Sequence, residues 1–387
     1  MVRNGRHHRI GKRPLWLGFI SSALVMAACG DAAAGGGAGS SSAGNPQTLA
    51  RAQAAVAAMK AVPQYKGPTA PLDISKVRGK TVYYVAFDLS NKFNNTLEQT
   101  FEEAANLMGI KTVALSGKVN PALENTYVEQ AVKQHADAIV LLSIGHEQIP
   151  NALADAKAAG IPVISIAQYS GGTQLPSDIT NQVTANTFHI GEVQADLAYT
   201  LSNGYINAIG YGGQELPQDV SQWKGQQSEV NALCASTCQY KSQAVNLTDF
   251  QTTLPNTTRA AIIADSKLNW FFPDWDILGT YAVVGIKAAN AQSRVRYSTW
   301  NGIDAAMAAV KGGDEAGTFA VPLRWWGWAT ADMTARYIAG LPAPDEQVPA
   351  RLFTKDVLDP LSSTSDETIL YNDSKVFDTY KQLWGVS

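Results

Sequence analysis

Charge is scarce in this chain. Asp, Glu, Lys and Arg make up 16% of its 387 residues, below the usual quarter. Cysteine is scarcer, with three in all, and Cys234 and Cys238 in "CASTC" lack the two further ligands nearby that a zinc site needs. His135, His146 and His189 lie too far apart for metal-ligand spacing, so packing or surface roles are expected, with no metal and no cofactor. No Gly-x-Ser-x-Gly elbow occurs, and no carboxylate pair stands out as an acid–base couple. The stretch "GDAAAGGGAG" follows no strand, which excludes a phosphate loop. After residue 28 no apolar run approaches the length of a membrane span.

What is present begins with an export signal. "MVRNGRHHRIGKRP" is basic without an acid, "LWLGFISSALVMAA" is apolar, and Cys29 follows. "VMAAC" resembles a lipobox, which makes residues 1–28 a lipoprotein signal peptide and Cys29 the lipidated N-terminus. A single membrane anchor is the alternative, but the apolar run is short for one. Residues 29–46 read as a flexible Gly/Ala/Ser tether. Removing residues 1–28 takes five basic residues and no acid, leaving 25 Lys+Arg against 33 Asp+Glu, a net of about −8. That balance excludes nucleic acid as a partner. With Cys29 lipidated, Cys234 and Cys238 form an even pair in an oxidising compartment. A local disulfide at a helix end is expected, redox activity being the alternative.

The remainder alternates strands and helices. "GKTVYYVAFDLS" is a strand running into a polar turn. "NTLEQTFEEAANLMG" is a helix stopped by Gly109. Asn120 and Pro121 open the next helix as cap and first residue. "DAIVLLSIG" and "IPVISIAQ" are buried strands. A second series runs from "HIGEVQADLAYTLSNG" to "GTFAVP", with a helix beginning at "QWKGQQ" and another of unsure limits around Pro255. Continuous apolar strands between helices imply parallel sheets covered on both faces, and the length suits two lobes. The fold class is therefore α/β, with two doubly wound, Rossmann-like lobes. "ARLFTKDVL" is a last strand before an irregular tail. Residues 47–78 form an Ala-rich helix and linker, read as a spacer or strut.

Over residues 79–358 the chain resembles the type I periplasmic solute-binding proteins of ABC importers, of the ribose-binding kind. "FDLSNKFNNTLEQTFEEAANLMG" resembles the family's first strand, Asn-x-Phe turn and helix. "IPVISIAQ" resembles the strand before its Asp-Arg pair. "FFPDWDILGTYAV" and "YSTWNG" are similar to second-lobe turns, and "GWATADMTARYIAG" to the helix returning to the first lobe. The resemblance implies a three-segment hinge crossed near 186, 321 and 347. Lobe 1 would be 79–185 plus 322–346, and lobe 2 would be 186–321 plus 347–387. It also implies a monomer, lipid-anchored to the outer face of the cell membrane, that captures a small carbohydrate-like or polyol ligand between the lobes. An ABC permease would be its partner, and it would not be an enzyme. A tethered sensor presenting its ligand to a membrane receptor is the alternative, and an exported enzyme using Asp88 and Asp276 a further one.

Carried over by position, the resemblance places Asn91, Phe93, Ser143, Gln168, Lys224 with Trp223 beside it, Phe250, Trp275 and Asn301 against the ligand. Tyr169, Arg324 and Trp326 are added as neighbours of the cleft. Ala167 and Gln168 stand where the family has Asp and Arg, and Asn301 where it has Asp. These departures imply fewer charged hydrogen bonds and more ring surface, suited to a deoxy-sugar, cyclitol, glycoside, small polyol or more apolar metabolite better than to ribose. In "LRWWGW", Trp325 or Trp326 could touch ligand, whereas Trp328 is expected in the core. Arg324 could bind ligand or bridge the lobes, and Asp276 is expected to cap its helix.

Overall fold

The computed structural model describes residues 45–343 and 346–386. The signal peptide, Cys29 and nearly all of the tether lie outside the described residues. Asn45 accepts hydrogen bonds from the N–H groups of Gln47 and Thr48, capping helix α1 (Pro46–Lys60) at the point where the tether was expected to end.

The first unit contains β1 (Thr81–Ala86), α2 (Lys92–Met108), β2 (Lys111–Ser116), α3 (Pro121–Lys133), β3 (Ala138–Leu142), α4 (Pro150–Ala158), β4 (Val163–Ile166) and β5 (Asn181–Thr184). Gly109 ends α2 in the left-handed conformation, and the Asn120 side chain caps α3 ahead of Pro121. The chain then enters a second unit: α5 (Thr187–Leu201), β6 (Asn207–Gly212), α6 (Pro217–Cys234), β7 (Gln239–Ala244), α7 (Phe250–Ala264), β8 (Trp270–Pro273), α8 (Asp276–Ala288), β9 (Arg296–Asn301), α9 (Asp304–Gly312) and β10 (Gly317–Ala320). It returns through α10 (Leu323–Ile338) to β11 (Glu346–Gln347), then follows β12 (Arg351–Phe353), α11 (Lys355–Leu358), α12 (Glu367–Tyr371) and α13 (Ser374–Trp384).

Two six-stranded sheets result, ordered β11-β5-β4-β3-β1-β2 and β12-β10-β9-β8-β6-β7. Among the described residues every pairing is parallel except that of β12 with β10. Strands such as Ala138–Leu142 and Trp270–Pro273 are buried at every residue because helices cover both faces.

Two expectations need correction. The tail is not irregular: Val376, Phe377, Tyr380 and Trp384 form the buried stripe of α13. That stripe packs on α10, with the Trp328 and Trp384 rings stacked at 5.2 Å and Trp384 Nε1 donating to Asp332 at 2.7 Å. The last helix therefore lies on the first unit, where the aromatic surface of α10 is, although residues 347–387 were assigned to lobe 2. The N-terminal segment also does more than space. Arg51 of α1 pairs with Glu229 of α6, and Lys60 with Asp356 at 3.1 Å. Further along, Tyr65 packs on Trp325 and Tyr380, the Ala70 carbonyl accepts from Arg336, and Leu72 N–H donates to Leu383. Residues 46–72 thus strap the second unit to the first across the crossover segments.

Cys234 and Cys238 form a disulfide at the end of α6. It closes a very short loop, so the Cys234→Ala/Cys238→Ala protein is expected to lose about 2 kcal/mol in urea unfolding.

Candidate functional site

Each sheet reverses its winding once. β1 lies between β2 and β3, and β6 between β7 and β8. Open α/β sheets leave a crevice at the carboxyl ends of such strands. Here the turn after β4 meets the loop after β6. The units touch directly where Gln218 N–H donates to the Gln168 carbonyl at 3.1 Å.

On the first wall, Asn91 caps α2 by accepting from Asn94 N–H at 2.8 Å, which leaves its amide nitrogen free of that role. Phe93, half-buried, stands edge-on to Trp326 with centroids 6.0 Å apart. Ser143 and Ala167 take positive φ as the chain turns away from β3 and β4, and Ser143 Oγ donates to the Ala167 carbonyl at 3.1 Å. The Gln168 amide, oriented to satisfy both its ends, spans the Ser143 carbonyl and Gly145 N–H at 3.3 Å each. Gln168 thus braces the wall.

On the second wall, Trp275 is half-buried at the N-terminus of α8 and its indole N–H donates to Asp219 Oδ1 at 2.9 Å. Asn301 ends β9 with φ 128, and its side-chain oxygen is buried without a partner. Asp276 organises this turn from within. One oxygen accepts from the Gly302 and Ile303 N–H groups at 2.6 and 2.7 Å, the other from the hydroxyls of Thr299 and Thr318. It anchors two turns to each other, and its side chain does not cap its own helix as expected.

Several expected ligand contacts lie elsewhere. Tyr169 is buried in the first unit's core, its hydroxyl accepting from His146 N–H at 3.1 Å, and burial pushes its phenol up to about 12. Phe250 is buried in the second core, edge-on to Tyr281. Lys224 is on the exposed side of α6. Arg324 bonds Glu103 of α2 and covers the Phe377 ring at 4.2 Å, so it ties α2, α10 and α13 together instead of facing ligand or the other unit. Trp326 is fully buried and donates to the Val183 carbonyl at 2.8 Å. Trp325 is buried against Tyr65, and Trp328 in the core. The aromatic run in "LRWWGW" is therefore packing: α10 is apolar on nearly every side because α2, the sheet, the strap and α13 surround it. Trp223 is half-buried under β6 with its indole N–H unpaired. A cavity of about 730 Å³ lies outside the cleft, between α1 and crossover residues such as Asn186, His189, Val348 and Pro349.

Sequence reasoning missed two fully buried carboxylates, Asp274 directly after β8 and Asp219 in the first turn of α6, the helix that follows β6. The missed signal is Pro217: it starts α6, five residues before the expected start, and so puts Asp219 in the first turn of the helix. Burial pushes Asp219 up to about 7 and Asp276 to about 6. Burial, then the neighbouring Asp219, raises Asp274 well above the usual carboxylate range. An acid whose folded pKa is raised stabilises the fold fully below its unfolded pKa, and that contribution is lost as pH rises through the folded value. The melting temperature should fall between about pH 5 and 8 in a calorimetric series; a rise across that window would contradict these shifts.

Residues 82–342 match the family described as periplasmic binding protein domain. The chain belongs to that family. The ribose import binding protein of Haemophilus influenzae is 25% identical over 244 residues, 62% of this chain and 79% of that relative. A periplasmic solute-binding protein from Actinobacillus succinogenes with bound D-allose superposes with TM-score 0.63 at 20% identity, over 72% of this chain and 99% of that one. A solute-binding protein from Bacillus halodurans with bound myo-inositol gives TM-score 0.65 at 15% identity, over 73% and 97%. The fold is that of the type I periplasmic binding proteins, a family of substrate-binding proteins. The family match excludes the strap and α13.

Proposed function

We propose that this protein captures a small carbohydrate-like or polyol ligand between its two units and delivers it to an ABC permease, held at the outer face of the membrane by lipid on Cys29. The observation that carries the reading is a switch point in each sheet, with the two units joined by the Gln218–Gln168 bond. Asn91 and Asn301 supply hydrogen-bonding amides at the two rims, and Phe93 and Trp275 supply rings for the apolar face of a sugar. The family relatives with D-allose and myo-inositol support this ligand class. Asp88, the acid an exported enzyme would use, is engaged by the N–H and hydroxyl of its own neighbour Ser90.

The test is a thermal-melt panel of sugars, polyols and cyclitols. A ligand at a hundred times its dissociation constant adds about 2.7 kcal/mol, enough for a visible shift. A shift with one class is expected, and Trp275→Ala should abolish it. Ribose as the tightest ligand would contradict the ring-rich reading of the cleft, and no shift with any member would contradict the ligand class.

A further inference from the structure

The second wall of the cleft holds two carboxylates with no counter-charge beside them among the described residues. Asp219 sits in the first turn of α6, and Asp274 directly follows β8. Gly212, the last residue of β6, makes room for both. A Cβ there would stand 2.0 Å from Asp274 Oδ2 and 3.0 Å from Asp219 Oδ2. The two oxygens are therefore at most about 5 Å apart, close enough for each charge to oppose the other.

Asp219 has partners in Gly213 N–H at 2.8 Å and the Trp275 indole at 2.9 Å. Asp274 has none, both its oxygens being buried and unpaired. The Trp223 indole and the Gln226 amide lie near enough to favour its charged form, yet neither closes a hydrogen bond of ordinary geometry. Gln226 is already engaged by Tyr240 and Gln194. The other titratable neighbours are Glu215 in the loop before α6 and Tyr240 on β7. No lysine or arginine figures among the groups acting on either acid. Lys224 points outward, and Arg324 is held by Glu103.

Buried charges are normally paired, and a carboxylate left alone inside a protein stays protonated until a cation arrives. Asp219 is also the neighbour of Gln218, whose N–H makes the bond to the first unit, which puts this turn of α6 at the junction of the two units. The half-buried indoles of Trp223 and Trp275 lie beside the pair, and indole is the aromatic ring that best attracts a cation. We infer that the ligand carries a protonated amine beside its hydroxyls, as in an amino sugar, amino polyol or aminocyclitol, and that its ammonium group docks between Asp219 and Asp274. The inference rests on the carbohydrate-binding reading, because it uses the same cleft. On binding, the ammonium keeps its protons and the acid pair releases one to solvent.

The experiment is calorimetric titration with matched compounds: glucosamine and glucose, galactosamine and galactose, 1-amino-1-deoxysorbitol and sorbitol, scyllo-inosamine and scyllo-inositol. At least one amine should bind about tenfold or more tighter than its neutral counterpart, a preference that Asp274→Asn should erase. In the unmodified protein, affinity for that amine should rise from about pH 5 to 7, where the ammonium stays charged and the acid pair gives up its proton more readily. The pH series keeps the idea testable if the variant does not fold. Neutral members binding as tightly as amines, or an affinity independent of pH, would overturn the amine while leaving carbohydrate binding intact. Binding by no member of either set would overturn both.

Discussion

Replacing Asp332 with asparagine is expected to cost about 3–5 kcal/mol of stability. Asp332 and Arg336 form an i,i+4 pair on α10 in the interior, with side chains 1% and 2% exposed. Arg336 Nε donates to Asp332 Oδ2 at 2.6 Å, and its Nη2 donates to the Ala70 carbonyl of the strap at 2.7 Å. Asp332 also accepts from the Trp384 indole. One carboxylate therefore joins α10, the strap and α13, and neutralising it strands a buried guanidinium. Urea unfolding measures the loss. The double change Asp332→Leu/Arg336→Met should cost much less, because it removes both charges together. Similar losses for the two proteins would mean that the cost comes from shape and not from charge.

Trp326→Ala should cost a further 3–5 kcal/mol. The side chain is fully buried, its indole N–H satisfied by Val183 of β5, and its ring stands behind Phe93. The space it leaves cannot collapse readily, because α10 lies tightly on α2. A Cβ on the adjacent Gly327 would already be 2.1 Å from Thr100 Oγ1 and 2.6 Å from Phe101 N. At a temperature where the variant is folded, ligand affinity should change less than with Trp275→Ala. A larger affinity loss at Trp326 than at Trp275 would restore Trp326 as a contact residue.

The contrast between these tryptophans shows what the sequence could and could not reveal. Strand and helix order was legible because buried parallel strands such as "AIVLL" are apolar throughout, and because Gly109, Asn120 and Pro121 punctuate the helices. The turns after β1 and β3 were legible for the same reason, whereas Asn91, Phe93 and Ser143 were assigned to ligand by the family resemblance. Whether an aromatic residue faces a cleft or a core depends on what covers it from elsewhere in the chain. Arg324, Trp325 and Trp328 are covered by Phe377, Tyr65 and Trp384, distant partners that no local pattern announces. The stripe of Val376, Phe377, Tyr380 and Trp384 did carry helical spacing, and reading it would have foretold α13. Asp219 and Asp274 were harder. Their environment exists only because Gly212 lacks a side chain between two strands and a helix that are far apart in sequence.

The most direct test of a binding role is to titrate the protein with the compound giving the largest thermal shift and then to recover that compound. A saturable one-to-one complex from which the ligand returns chemically unchanged is the expected result. Conversion of the compound during incubation, or saturation at another stoichiometry, would contradict a single ligand held between the two units.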